Sequence, residues 1–183
     1  MFTQLQLLMA LLPIIFMIHD FEEIILFRSW IDKNREVLKQ HFNKPYRYLH
    51  SRGYTELSTS TFAVGVFHEF LFLSCTTFFG LYFNLPELWF IGFMAYFIHI
   101  LIHIAQWIIY RRYIPVVTTS LLTLPYCIYT FIIFSDSNFL SVQELIIYSV
   151  IGFVGMILSI PSAYFFMSKF SRWEKRFIQE QKK

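Results

Sequence analysis

The chain has 183 residues, of which 56% are hydrophobic, 21% aromatic and 15% charged, with a formal net charge of +3. A soluble domain carries about 25% charged residues. Here the deficit is concentrated in long apolar runs, which excludes a water-soluble globule and leaves room for one membrane-embedded domain over residues 1–183. No Gly-rich phosphate loop and no basic–aromatic interleaving occur, so membrane lipids and not nucleic acid are the expected partners.

Five segments reach the roughly 20 residues that a helix needs to cross hydrocarbon. In chain order they are Phe2 to Phe27, Leu57 to Leu81, Leu88 to Tyr110, Ile114 to Phe134 and Val142 to Met167. The expected fold is therefore an all-α polytopic bundle of five transmembrane helices. Residues 1–27 contain no basic stretch and no clear small-residue cleavage site, so a removable signal peptide is not expected. Pro86 and Pro115 suit first helical turns, whereas Pro13, Pro125 and Pro161 fall inside spans and are expected to kink them. Cys75 and Cys127 sit in apolar runs without metal-type spacing and read as packing residues.

Charge fixes the orientation. Seven Lys/Arg residues lie between Arg28 and Arg52, two are Arg111 and Arg112, and six occur from Lys169 onward. In a five-span arrangement all fifteen fall on one side, while the other side holds Glu87 and Asp136. The positive-inside rule puts the N-terminus outside and the C-terminus in the cytoplasm. Residues 28–56 are then a cytoplasmic loop and residues 169–183 a cytoplasmic tail. Both mix basic residues with Trp and Phe, as expected of helices resting on an anionic inner leaflet.

Against this apolar background the stretch IHDFEEI, residues 18–24, is anomalous. A charge at bilayer depth costs about 2.5–3.5 kcal/mol even on lenient insertion scales. At 1.5 Å per helical residue, Glu22 lies about 9 Å and His19 about 13 Å above the cytoplasmic boundary. By the same measure His68 and Glu69 lie about 18–20 Å up the second span, and His103 and His99 about 12 and 18 Å up the third. Ionisable residues of three helices thus share one layer. His19, Glu22 and Glu23 are at i, i+3 and i+4, on one face; His99 and His103 are at i, i+4, the spacing by which one helix offers two imidazoles to one ion. His68 and Glu69 are adjacent and diverge by about 100°, so one of them belongs at the edge of the site.

Neutral hydrogen bonding would leave three carboxylates to bury, and a divalent cation neutralises them. The expected metal ligands are His19, Glu22, Glu23, His68, His99 and His103, with zinc as the expected ion. Asp20 is expected to point away from the ligand face and orient a ligand, and Tyr96 and Gln106 to support the histidines. Thr118, Thr119, Ser120, Thr123, Ser149, Ser159 and Ser162 are expected to wall the cavity or touch substrate. His41 and His50 read as surface residues.

The run HDFEE, followed by the His68–Glu69 pair and by His99 with His103, resembles the HXXEE family of small bacterial membrane proteins over about the first 110 residues. The family pattern has Asn where this chain has His99. The resemblance implies a metal-dependent enzyme of the bacterial cytoplasmic membrane without naming its reaction. Three functions fit the residues. The leading expectation is a membrane-embedded zinc hydrolase acting on a lipid or other apolar amide or ester, with Glu69, or else Glu23, as general base. A di-iron oxidoreductase like a hydroxylase or desaturase is the second, although such enzymes carry more clustered histidines. The third is a small ion- or proton-coupled carrier, although paired repeats are not evident.

Overall fold

The protein is described by a computed structural model covering residues 3–181. These residues form α1 (Gln4–His41), α2 (Asn43–Ser51), a short 3-10 turn (Tyr54–Glu56), α3 (Thr59–Tyr82), α4 (Pro86–Tyr110), α5 (Val117–Asp136) and α6 (Val142–Glu180). Phe2, expected to begin the first span, and Lys182 and Lys183 of the expected tail lie outside the described residues. No strand occurs among the described residues, so the all-α expectation holds. Helix starts follow local chemistry. Thr3 and Ser141 form capping boxes with Gln6 and Glu144, Ser58 accepts from Thr61 N, and Pro86 is the first residue of α4. Pro115, expected in a first turn, precedes α5.

Two expected boundaries change. α1 does not end near Phe27 but runs unbroken to His41, and α6 continues past Met167 to Glu180. The reason is that neither extension contains Gly or Pro. The first is also laced by i,i+3 and i,i+4 pairs: Arg28 with Asp32, Arg35 with Asp32, and Lys39 with Glu36. Residues 28–56 are therefore helical for most of their length, as the expected surface helices would be, but residues 28–41 continue α1 instead of forming a separate helix. The three internal prolines interrupt no helix. At Pro13 the structure shows the compensation. A proline at position 13 frees the carbonyl of Met9, four residues earlier, and Trp89 Nε1 donates to that oxygen at 3.1 Å.

The long helices alternate in direction. α1 and α4 run parallel, with Trp89 against Met9 at one end and Tyr110 Oη donating to Asn34 Oδ1 at the other. α5 is antiparallel to α1, pairing Tyr126 with Leu8 and Thr119 with Glu22. α6 is antiparallel to α3, pairing Ser162 with His68 and Glu174 with Ser58. Gly80 and Gly92 let α3 and α4 approach closely, because a Cβ at either would fall under 3 Å from Trp89 or Thr76. The core between α4 and α5 is aromatic: Trp89, Phe90, Phe93 and Phe134 are all buried, with ring centroids 4.9 Å apart for Trp89–Phe93 and for Phe90–Phe134.

The basic end is tied together rather than free. Arg28 donates to the carbonyls of Thr55 and Leu57, and Arg35 pairs with Glu56 at 2.7 Å, holding that carboxyl below the usual range. Tyr164 donates to Arg52 O, and Ser58, Ser60 and Thr61 donate to Glu174.

α3, α4, α5 and α6 are each long and apolar enough to cross a membrane. Their outward faces are hydrophobic, with Val142 73% and Ile109 69% exposed. Only 6% of the apolar window of α6 is buried inside the protein. Apolar surface displayed on this scale has a low free energy in lipid and a high one in water. The chain is a helical membrane protein. Both cysteines are free, Cys75 exposed and Cys127 buried.

Candidate metal centre

The parallel register of α1 and α4 brings His19 level with His99 and His103. One ring nitrogen of each histidine lies within 4.8 Å of the corresponding atoms of the other two. His103 Nε2 is 2.9 Å from His99 Nε2, and the His19 ring centroid is 5.4 Å from both of the other rings. Nitrogen ligands at 2.0–2.1 Å around a tetrahedral zinc ion lie about 3.3–3.4 Å from one another. The His99–His103 pair is somewhat closer than that, and all three nitrogens lie within 4.8 Å of one another.

The outer nitrogens are held by neighbours. His103 Nδ1 is 3.0 Å from Gln106 Oε1, and His19 Nδ1 is 3.3 Å from Thr119 Oγ1. An amide oxygen only accepts, so His103 carries its proton on Nδ1 and turns the Nε2 lone pair inward. Thr119 donates its own hydroxyl hydrogen to Glu22, so it too accepts from a histidine Nδ1–H. His19 Nε2 is then the unprotonated ring nitrogen, and this atom has no hydrogen-bond partner on a residue with no solvent exposure. Asp20 Oδ1, 3.6 Å away, is likewise buried and without a hydrogen-bond partner. A proton shared by His99 and His103 satisfies two of the three imidazoles and leaves His19 orphaned. A cation at the centre satisfies all three, and buried polar atoms are rarely left unpaired. The donor set fits a divalent transition ion, and the outer hydrogen bonds are of the kind that orient imidazole ligands.

The carboxylates divide differently from expectation. Asp20 does not point away: it is 4% exposed and lines the cavity beside the histidines, because α1 is covered on this side by α3 and α4. Glu23 and Glu69 line the same cavity, as do His99, His103 and Gln106. Glu22 is engaged elsewhere. It accepts from Thr119 N at 2.8 Å, Thr119 Oγ1 at 2.7 Å and Tyr113 Oη at 2.5 Å. The cause lies in α5, whose N-cap is Val116 at φ 76°, a residue with no side-chain acceptor. Glu22 supplies the missing cap from another helix, at the end where orphan N–H groups and the helix dipole favour an anion.

His68 also stays apart from the histidine cluster. Its Nε2 lies 3.2 Å from Ser162 Oγ and its Nδ1 3.3 Å from Glu69 Oε1, with the ring centred 5.2 Å from that of Phe166. It faces α6, and Glu69, about 100° around the helix, faces the cavity. Of the six expected ligands, the structure gathers His19, His99 and His103, leaves Glu23 on the cavity wall, and directs Glu22 and His68 to other partners. Tyr96 packs edge-on to His19 and bonds Thr123 and the Ile15 carbonyl. Thr119, expected in a cavity wall, instead links Glu22 to His19. Its position in the first turn of α5 was the available signal.

The cavity measures about 370 Å³. Its polar side is the group just described, and its remaining walls are apolar faces of α3, α4 and α6.

Fold and site together define a polytopic helical membrane protein with an imidazole cluster and carboxylates inside the bundle. The chain belongs to the family described as "protein of unknown function with HXXEE motif", which matches residues 10–130. The motif itself is His19, Glu22 and Glu23. No curated protein and no solved structure matches the chain.

Proposed function

We infer that this protein is a metal-dependent hydrolase of the bacterial cytoplasmic membrane, acting on an ester or amide bond of a lipid or similarly apolar substrate. α1 is read as a fifth crossing, its N-terminus outside, with all fifteen basic residues and the C-terminus on the cytoplasmic side. The observation that carries the reading is the meeting of three imidazole nitrogens, those of His99 and His103 on the wall of a largely apolar cavity that Asp20, Glu23 and Glu69 also line and that of His19 buried behind it.

His19, His99 and His103 would hold a zinc ion, which, when bound, supplies Lewis acidity that lowers the pKa of water toward neutrality and polarises a carbonyl. Asp20 and Glu23 offset its charge. Glu69 takes a proton from water as the water oxygen bonds to the acyl carbon. The bond from that carbon to the ester oxygen or amide nitrogen then breaks, its electron pair leaves with the heteroatom, and Glu69 delivers the proton there. The products are a carboxylic acid and an alcohol or amine. The apolar walls bind the substrate's hydrocarbon part and keep bulk water out.

Elemental analysis of the purified protein and its variants tests this. One zinc per chain is expected, lost in His19→Ala and His103→Ala and retained in His68→Ala, His41→Ala and His50→Ala. Two irons per chain would replace the reading with an oxidative one. Metal-free protein after growth in zinc-supplemented medium would overturn both.

A further inference from the structure

The cavity has a direction. On α4 its wall runs from Gly92 through His99 to Gln106, so it extends about 21 Å along the helix axis. A volume of about 370 Å³ spread over that length makes an elongated space rather than a compact one, a shape suited to an extended chain. The carboxylates and imidazoles occupy the middle of this length. The arm beyond them, from His99 to Gly92, is about 10 Å long and is faced by Gly152, Gly155 and Met156 of α6.

Gly155 differs from the other glycines of the arm. At Gly152 an added Cβ would lie 2.6 Å from the carbonyl oxygen of Ile91, and at Gly92 it would strike Thr76. Those two glycines are required by helix contact. At Gly155 nothing lies within 4 Å of an added Cβ. Glycine in a helix interior is unfavourable relative to nearly every other residue, and no packing contact here demands it. What its missing side chain preserves is space in the cavity.

We propose that the cavity seats one unbranched acyl chain, its carbonyl at the imidazole cluster and its methyl end toward Gly92 and Gly152, with Gly155 keeping the passage open. This assignment of substrate class rests on the hydrolase reading for the carbonyl's position and on the cavity alone for the chain's. Acyl chains are the surrounding solvent of a membrane protein, and a chain entering the arm exchanges lipid neighbours for the apolar walls without a desolvation cost.

The test uses full-length protein purified in a steroidal detergent, which has no alkyl chain of its own, with decanoic acid carrying a mid-chain diazirine as the probe. Photolabelled residues are mapped by mass spectrometry, and zinc is measured on the same samples. Labelling is expected on the α4 and α6 residues that line the arm, competed by decanoic acid and not by a methyl-branched fatty acid of the same length. Gly155→Leu is expected to keep zinc and lose labelling in the arm, because the leucine side chain fills the space that the glycine leaves open. Labelling confined to the outward-facing Val150 and Leu158, unchanged in Gly155→Leu, would overturn the proposal. If Gly155→Leu does not fold, equal competition by the straight and branched acids on the unaltered protein overturns it instead. Zinc-free protein that still labels in the arm with straight-chain selectivity sinks the hydrolase and leaves the acyl seat standing; zinc-loaded protein labelled only outside does the reverse.

Discussion

Glu22→Gln separates a metal ligand from a structural anion. The substitution keeps the side chain's shape and removes its charge and one acceptor oxygen. In the structure the carboxylate accepts Thr119 N–H, Thr119 Oγ1–H and Tyr113 Oη–H, at 2.8, 2.7 and 2.5 Å. Hydrogen bonds to a charged acceptor contribute about 1.5–3 kcal/mol and neutral ones about 0.5–1.5 kcal/mol. Weakening two such bonds and losing the third would sum to about 3–5 kcal/mol, but the Tyr113 bond is exposed to solvent and counts for little, which leaves about 2–3 kcal/mol. For a chain of this size each kcal/mol shifts Tm by about 2–4 °C, so a fall of about 4–12 °C is expected. Fluorescence-detected unfolding in detergent measures it, with zinc determined on the same sample. Zinc stoichiometry should be unchanged, because the Thr119 hydroxyl remains beside His19, also within reach of the His19 carbonyl at 3.1 Å. An unchanged Tm with zinc lost would refute the reasoning and return Glu22 to the ion.

Glu69→Gln is expected to retain zinc and fold normally while turnover on an acyl substrate falls about 10²–10⁴-fold, the usual contribution of a general base; loss of zinc would make Glu69 a ligand and move the base to Glu23. The carboxyl of Glu174 is held below its ordinary value chiefly by the hydrogen bond from Ser60, with Ser58 and Thr61 adding to it against a desolvation effect. A depressed carboxylate stabilises the fold above its unfolded value of 4.5 and loses that contribution as pH falls through the folded value. Glu174→Gln should therefore lower Tm at pH 7, with the difference from the unaltered protein shrinking below pH 4.5; a pH-independent difference would show that the carboxylate's charge plays no part. In a Cys75→Ala background, Ser137→Cys should react with an impermeant thiol reagent from outside the cell and Ser51→Cys only after permeabilisation, and the opposite pattern would reverse the orientation.

Much of the fold was legible because a membrane span is specified by length and apolarity, both of which are local in sequence. The ends were less so. Nothing between Arg28 and His41 breaks a helix, and the change from apolar to polar composition marks where lipid stops rather than where α1 stops. For the site, depth along each helix identified the layer and the i, i+4 spacing identified the His99–His103 pair. Rotation of each helix about its own axis was not available. It depends on which neighbours cover a helix, so the difference between His68 facing α6 and Glu69 facing the cavity could be stated only as an alternative. The partners that Glu22 has in the structure were hidden for a related reason. A carboxylate on the face of a candidate ligand has the same sequence signature whether it holds an ion or caps a helix, and the deciding fact was the bare N-cap at Val116, nearly a hundred residues downstream.

α6 stands in a different relation to the site than the other walls do. The family match ends at residue 130, ahead of α6, and the three clustered histidines come from α1 and α4, both within the matched stretch apart from the first residues of α1. Yet α6 contributes Gly152, Gly155, Met156, Ser159, Ile160, Ala163 and Met167 to the cavity. It packs along its length against α3 and α4, with Gly152 against Ile91, Ser162 against His68 and Glu174 against Ser58. The imidazole cluster and the α6 part of the cavity wall are thereby drawn from different pieces of the chain. Exchanging residues 142–168 for another apolar helix that keeps Gly152 would redraw the mould while leaving the imidazoles where they are.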